Sequence, residues 1–305
     1  MDGPGRLFRV ATYNVHSCVG PDGRHDPARV AAVIAELDAD VVALQEFSYP
    51  ADIALETRTP VVLTELDSYV CALGPTRQNP THCFGNVILT RHRLREVHRV
   101  DLSVLNREPR GALAATIDAD GMEVHVLAAH LGLRLSERRF QVRQIAKYLE
   151  SVRGTFVVVL GDFNDWLPGR SVVRTLDRRL GRAPRLRSFP IRCPVLSLDR
   201  IWVQPRSAVH RLFVHRSLAA RLASDHYPVV AEIEVFTDAL SAGRAGAVSA
   251  RGLQAKSSEV NDGEVRSEGG EDSRVGDAST QEGHVAQRLR TQGDEPQAGN
   301  RNRIE

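Results

Sequence analysis

GALAATIDADGMEVHVLAAHL, residues 111–131, holds two apolar runs, 111–117 and 122–131, separated by Asp120 and Gly121. Asp-Gly between two β-patterned runs predicts a tight hairpin turn. Upstream, GNVILT (85–90) reads as another strand, and residues 51–84 give a weaker signal: a strand at 69–73, then a Pro- and Asn-rich loop through Phe84. LFRVATYN (7–14) alternates as a strand and ends in a loop rich in Gly, Pro and Asp. Asp26 and Pro27 form an N-cap and first-turn pair ahead of Val30, Val33, Ile34 and Leu37 at helical spacing. VVALQEF (41–47) is apolar until Gln45 and suits a strand buried on both faces. Downstream, Ser136 caps a helix with the apolar line Val142, Ile145, Leu149 and Val152, and TFVVVLG (155–161) is the next strand. Strands near 199–204, 211–215 and 228–235 complete the series. This order is too rich in antiparallel hairpins for a doubly wound parallel sheet and predicts an α/β sandwich of two sheets flanked by helices.

The chain has 305 residues with 40 basic and 38 acidic side chains, net +2, which excludes a strongly basic nucleic-acid coat. Residues 237–305 contain no Phe, Tyr, Trp or Cys and carry 9 basic and 12 acidic groups, net −3. Such a segment buries too little apolar surface to offset the entropy of ordering and is expected to be a disordered polar tail. The remaining body, residues 1–236, carries 31 basic against 26 acidic groups, net +5, and has the size of one domain. The first residues lack a basic, apolar secretory signal, and no later run reaches about 18 apolar residues, so a cytoplasmic protein without membrane insertion is expected. Cys18, Cys71, Cys83 and Cys193 are widely spaced without a C-x-x-C pair, which predicts reduced, mostly buried thiols.

Nearly every strand exit carries an acid, an amide or a His: Asn14, Glu46, His130, Asp162 with Asn164, Asp199, and Asp225 with His226. Singly, each has a plain explanation as a turn former or a satisfied core residue. Jointly they do not, because converging carboxylates repel by about 4 kcal/mol per close pair at an effective dielectric near 20. Convergence therefore calls for a cation. Oxygen ligands without Cys suit Mg²⁺ or Mn²⁺ rather than structural zinc. Such an ion polarises a phosphoryl oxygen while a His held by an Asp takes a proton from water.

ATYN (11–14), LQE (44–46), GNVILTR (85–91), AHLG (129–132), GDFN (161–164), LDRI (198–201) and SDH (224–226) resemble, in order, the motif set of the endonuclease/exonuclease/phosphatase superfamily. The resemblance spans residues 8–235. HLGL (130–133), GDFNDW (161–166) and SFPIRCPVLSLDRIWV (188–203) are similar to its small, cytosolic bacterial members. It implies a four-layer α/β sandwich, two mixed, mostly antiparallel sheets face to face with helices outside. Glu46 is then the principal Mg²⁺ ligand with Asn14 and Asp225 beside it, and Asp162 and Asn164 orient the attacking water and bind the phosphate or a second metal. His226, aligned by Asp199, is the general base in the usual account, a role that other accounts give to Asp162. His130 hydrogen-bonds a phosphate oxygen and stabilises the transition state.

Three departures bear on substrate. Abasic-site endonucleases of the superfamily carry a Tyr where this chain has His130. The inositol polyphosphate phosphatases carry a Trp and a Cys where Ser197 and Leu198 stand. Secreted deoxyribonucleases use disulfides and an Arg just after the metal-binding Glu, where this chain has Phe47. The leading expectation is a monomeric metal-dependent phosphodiesterase, a nuclease acting on DNA or RNA by in-line water attack. The alternative is a phosphoesterase for phospholipid head groups or small molecules. An exposed apolar rim beside the site favours lipid, and a basic groove favours a polynucleotide.

Overall fold

The structure, a computed structural model, describes residues 7–52, 56–58, 66–152, 156–166 and 171–234. β1 is Leu7–Asn14, α1 Pro27–Leu37 and β2 Val41–Pro50. The Asp26 side chain accepts from the backbone N–H groups of Ala28 and Arg29, and Pro27 opens the helix, so α1 starts where its cap predicts. Val30, Val33, Ile34 and Leu37 are buried. The helix returns the chain so that β1 and β2 pair in parallel with Asn14 opposite Gln45. A second unit repeats this design: β8 (Met122–His130), α2 (Leu135–Ser151) and β9 (Phe156–Asp162) form another parallel crossover with His130 opposite Asp162.

All other pairings are antiparallel. β3 (Glu56–Arg58), β4 (Val70–Gln78), β5 (His82–Thr90), β11 (Val209–Val214) and β12 (Val229–Glu234) join the first unit in a seven-stranded sheet, ordered β11-β12-β1-β2-β5-β4-β3. β6 (Arg93–Asp101), β7 (Gly111–Ala119) and β10 (Asp199–Gln204) join the second in a five-stranded sheet, ordered β10-β9-β8-β7-β6. The predicted hairpin is the β7–β8 turn, with Gly121 at φ 90° and its N–H donating to the Asp118 carboxylate.

Three apolar clusters define four layers. Phe8, Val10, Ile88, Leu113, Val126 and Val158 belong to the core between the sheets. Val30 and Ile34 pack with Ala220 and Ala223 of α4 (Leu218–Ala223) over the seven-stranded sheet. Val142 and Ile145 pack with Leu176 and Leu180 of α3 (Arg174–Leu180) over the other. This is the expected four-layer sandwich. None of the four cysteines is in a disulfide; three are buried and Cys193 is exposed.

Several local expectations are corrected. Ser136 does not cap α2; it lies inside the helix, whose start is set by Glu137 accepting from the Arg134 backbone N–H at 3.4 Å. The first turns of α2 are polar yet buried, with Glu137, Arg138 and Gln141 all inaccessible, so the apolar line begins one turn late. The loop read through Phe84 is two strands, β4 and β5, joined at Asn79, whose side chain accepts from the backbone N–H groups of Thr81 and His82. β6 had no reading because its sequence, RLREVHRVD, is that of a charged edge strand. The short helices α3 and α4 also went unread. The expected tail, 237–305, lies outside the described residues.

Candidate active site

The two parallel crossovers end side by side, and their C-terminal ends share one mouth. A bulge shapes the first. Pairing of β2 with β5 slips between Leu44 and Phe47, and Glu46 adopts φ 57°, a left-handed conformation rare for a residue with a Cβ. Gln45 stays inside, accepting from the Thr12 hydroxyl and donating to the Ala43 carbonyl, while Glu46 is only partly buried. Bulges of this kind re-aim a side chain, and strain of this kind gathers at functional sites. Asn14, at the end of β1, donates through Nδ2 to Glu46 Oε1 at 3.0 Å and to Asp162 Oδ2 at 3.1 Å. Its Oδ1 accepts from the His16 backbone N–H at 3.0 Å.

The second crossover contributes groups that are almost wholly enclosed. Gly161 sits at φ 143°, where a Cβ would lie 1.9 Å from the Ala129 carbonyl oxygen, so only glycine lets β8 and β9 approach here. Asp162 Oδ1 accepts from the Asn164 N–H at 2.9 Å, and Asn164, at φ 48°, donates through Nδ2 to the Leu131 carbonyl at 2.9 Å. Burial is the largest influence on Asp162 and pushes its carboxyl up to about 6; His226 opposes that push and Asp199 adds to it.

Asp199 opens β10 opposite Asp162 and is fully buried. Its Oδ2 accepts from the Ser188 hydroxyl at 2.5 Å and lies 2.9 Å from His226 Nδ1. Nε2 of His226 therefore points into the cleft, 3.9 Å from Asp162 Oδ2. Burial by itself would depress the imidazole, but the adjacent Asp199, with help from Asp162 and Asp225, lifts His226 to about 10. Ser224 ties this segment to β1 by donating to the Asn14 carbonyl at 2.7 Å.

Two contributors were missed in the sequence. Ser188 lies in a quoted stretch but had no role assigned. Arg110 precedes β7, is buried, and places its guanidinium 2.9 Å from His130 Nδ1. Guanidinium only donates, so His130 Nδ1 must accept, and the one ring proton of the neutral His sits on Nε2. Burial, followed by Arg110 and His226, holds His130 well below the ordinary imidazole range and keeps it neutral. Its Nε2–H faces the space between Glu46 Oε1 (3.8 Å) and Asp162 Oδ2 (3.6 Å); Asn164 Nδ2, 3.3 Å away and itself a donor, gives its hydrogen bond to the Leu131 carbonyl. Glu108 braces Arg110 with a 2.6 Å ion pair. An Arg just before an apolar strand carries no signal of its own, which is why spacing did not find it.

All eight expected residues are thus brought together. Glu46, His130, Asp162, Asn164, Asp225 and His226 line a cleft of about 780 Å³, with Asn14 and Asp199 behind its wall. Asp225 lies 4.0 Å from His16 at the rim. Among the described residues, one group of three possible metal ligands converges, Asp162, Asp199 and His226, with ligand atoms within 4.8 Å of one another. In that trio Asp199 and His226 already satisfy each other. The oxygens left to an ion belong to the partly exposed Glu46 and the buried Asp162, which the Asn14 amide nitrogen bridges. An amide donor placed between two carboxylates marks where positive charge is wanted. Turning the amide over would present Asn14 Oδ1 instead, an all-oxygen set suited to a hard divalent ion, at the cost of the bond from the His16 N–H.

A two-sheet α/β sandwich with an acid- and His-lined cleft at the mouth between its sheets is the architecture of phosphoester hydrolases of the endonuclease/exonuclease/phosphatase type. The chain belongs to that family, which it matches over residues 11–226. It is 31% identical over 245 residues to the uncharacterized protein YbhP of Escherichia coli K12, covering 75% of this chain and 96% of YbhP. An endonuclease/exonuclease/phosphatase from Beutenbergia cavernae superposes with a TM-score of 0.61 at 26% identity, covering 75% of this chain and 72% of that one. D. rerio TDP2 complexed with a single-strand DNA product shares the fold, with a TM-score of 0.55 at 17% identity over 75% and 99% of the two chains. Among the described residues no helix is long and apolar enough to cross a membrane.

Proposed function

We propose that this protein is a Mg²⁺-dependent phosphodiesterase whose substrate is single-stranded nucleic acid. The observation that carries the reading is the meeting of Asn14, Glu46 and Asp162 with the Asp199–His226 pair and the Nε2–H of His130 in one cleft. Glu46, Asp162, Asn14 and Asp225 would hold the ion. Once bound, it supplies Lewis-acid polarisation of the phosphoryl oxygen and neutralises the carboxylates.

The chain's own groups do the rest. Three carboxylates support the His226 proton, and two of them, Asp162 and Asp225, belong to the cation set. A cation held there would withdraw the support of those two; His226, held at Nδ1 by Asp199, has Nε2 turned into the cleft to take a proton from the attacking water. The water oxygen forms its bond to phosphorus as the opposite P–O bond breaks. His130 donates Nε2–H to a non-bridging oxygen whose charge grows in the transition state, and Asn164 fixes the loop that presents Asp162. Both ring nitrogens of both histidines thus have assigned partners or tasks.

Trp166, at the rim, offers an indole face on which a base can stack. A second reading, hydrolysis of a lipid head group, is favoured by Leu133, which lines the same cleft and is 62% exposed. Thiols outside disulfides suit a reducing compartment such as the cytoplasm. The test is cleavage of single-stranded DNA, RNA, plasmid and phospholipids by the full chain with Mg²⁺ and with EDTA, using His226→Ala as the contamination control. Cleavage of a single strand, lost in both controls, is expected. Lipid cleavage with the same two dependences while nucleic acids stay intact would transfer the site to the second reading. Titrating Mg²⁺ from limiting to saturating should also move the acid limb of the rate profile to lower pH.

A further inference from the structure

α2 and α3 enclose a groove of about 370 Å³. Arg139 and Arg143 line it from α2 and Arg174 and Arg178 from α3, with the side chains of Ser171 and Thr175 between them and the buried Val142 and Val172 as its floor. The groove lining contains no acidic residue. None of the four arginines has an ion pair or hydrogen bond among the described residues, whereas Arg9, Arg29, Arg77, Arg91, Arg95 and Arg110 are each paired with a carboxylate. The arginine-rich composition accounts for many surface arginines but not for four unpaired ones facing one concavity.

Their spacing is also informative. Arg139 and Arg143, like Arg174 and Arg178, stand at i and i+4 on their helices, where like charges repel and weaken the helix. The two members of each pair are separated by a rise of about 6 Å along the axis. Two facing rows of this kind form a track for a chain of anions rather than a socket for one.

The loop that ends at Trp166 is tied to the groove lining. A single loop, residues 162–166, places Asn164 in the active site and Trp166 on its rim, and its Asp165 accepts from the Ser171 hydroxyl at 2.5 Å and the Val172 N–H at 3.2 Å. The Arg138 guanidinium lies 4.7 Å from the centre of the Trp166 ring, and the neighbouring Arg139 is already in the groove. An aromatic platform followed by a cationic groove is how single strands are held without base readout.

We infer that Arg139, Arg143, Arg174 and Arg178 form an exosite for the backbone phosphates of a single-stranded nucleic acid leaving the cleft past Trp166. The inference rests on the nuclease reading for its biological sense, but its test does not. Full-length His226→Ala protein in EDTA is titrated with a fluorescent oligothymidylate of about 16 nucleotides, and anisotropy is followed against salt. The same titration is run on a second His226→Ala protein carrying R139Q, R143Q, R174Q and R178Q. A third carries R93Q, R95Q, R206Q and R211Q, an equal loss of charge elsewhere, and thermal melts confirm that all three are folded.

The groove variant should bind roughly 10²-fold more weakly at about 0.1 M salt and lose about 2.8 from the slope of log affinity against log salt, 0.7 for each of the four phosphates released. The control should bind as the parent does. Equal affinity and slope in the parent and groove proteins would overturn the exosite, as would binding of anionic phosphatidylglycerol vesicles without binding of DNA. Wild-type hydrolysis of bis(p-nitrophenyl) phosphate with Mg²⁺, assayed separately, tests the active site. Absence of that activity with intact groove binding would remove the nuclease reading and leave the exosite standing, and the reverse pattern would do the opposite.

Discussion

The β1-α1-β2 and β8-α2-β9 crossovers use the same topology to deliver opposite kinds of group. The first presents Glu46, whose side chain is 26% exposed, aimed outward by a bulge and, among the described residues, hydrogen-bonded by the Asn14 amide. The second ends in His130 and Asp162, nearly sealed, with His130 Nδ1 and both Asp162 oxygens held by neighbours and with proton affinities moved far from their ordinary values. The difference teaches how one site can hold a cation and still control protons. Open oxygens can lose water to an ion at little cost, whereas a proton carrier needs a low-dielectric wall and a fixed partner.

The sharpest test of the sealed half concerns the pair that closes it. Asp199→Asn and His226→Ala should each slow turnover roughly 10³- to 10⁴-fold, and the double variant should lose little more than the worse single. Single-turnover rates whose losses simply multiply would show that the two do not act as a unit. Next comes the open half. Glu46→Gln should lower activity about 10²-fold at limiting Mg²⁺ and recover in part at high Mg²⁺ or Mn²⁺. A metal titration midpoint equal to that of the wild type would remove Glu46 from the cation set.

Arg110→Gln probes whether the tautomer of His130 matters. A Gln can turn its carbonyl to His130 and accept a proton on Nδ1, so kcat should fall about 10²-fold with KM changed far less. Nitrogen-resolved NMR should show the ring proton move from Nε2 to Nδ1. A wild-type spectrum with the proton already on Nδ1 would contradict the assigned geometry.

The smallest effect is on stability. A folded-state value of about 10 for His226, above the unfolded value of about 6.5, means that its stabilisation is complete below pH 6.5 and is lost as pH rises through 10. In EDTA the wild type should therefore lose its thermal advantage over His226→Gln across that window. A constant difference would mean that Asp199 does not hold the proton.

Much of this site was legible in the chain. Asp26 and Pro27 started α1 because a cap is a local device, and Asp120-Gly121 made its hairpin for the same reason. Asn14, His130 and Asp162 end β1, β8 and β9 as the sequence predicts, whereas Glu46 lies at a bulge inside β2, Asp199 opens β10, and Asp225 and His226 fall between α4 and β12, so for those four the strand-exit expectation is corrected. Other features were hidden by the same logic. α2 begins in a buried polar network in which Gln141 accepts from the Gly132 N–H and donates to the Leu102 carbonyl, so neither apolar spacing nor a capping Ser marked its start. β6 is charged because it lies at an edge, and Arg110 and Ser188 matter only through partners 20 and 11 residues away.

By itself the sequence determined the order of most of the elements and a two-sheet sandwich flanked by helices, which follow from local propensity, and its motif strings, through the family resemblance, picked out the residues able to meet a divalent ion and a phosphate. Only the tertiary structure decided which nitrogen of His130 carries the proton, which carboxylates are open and which sealed, and that four arginines on two helices share one groove. Those properties depend on burial and on distances between residues remote in the chain, and neither quantity exists until the two sheets have packed.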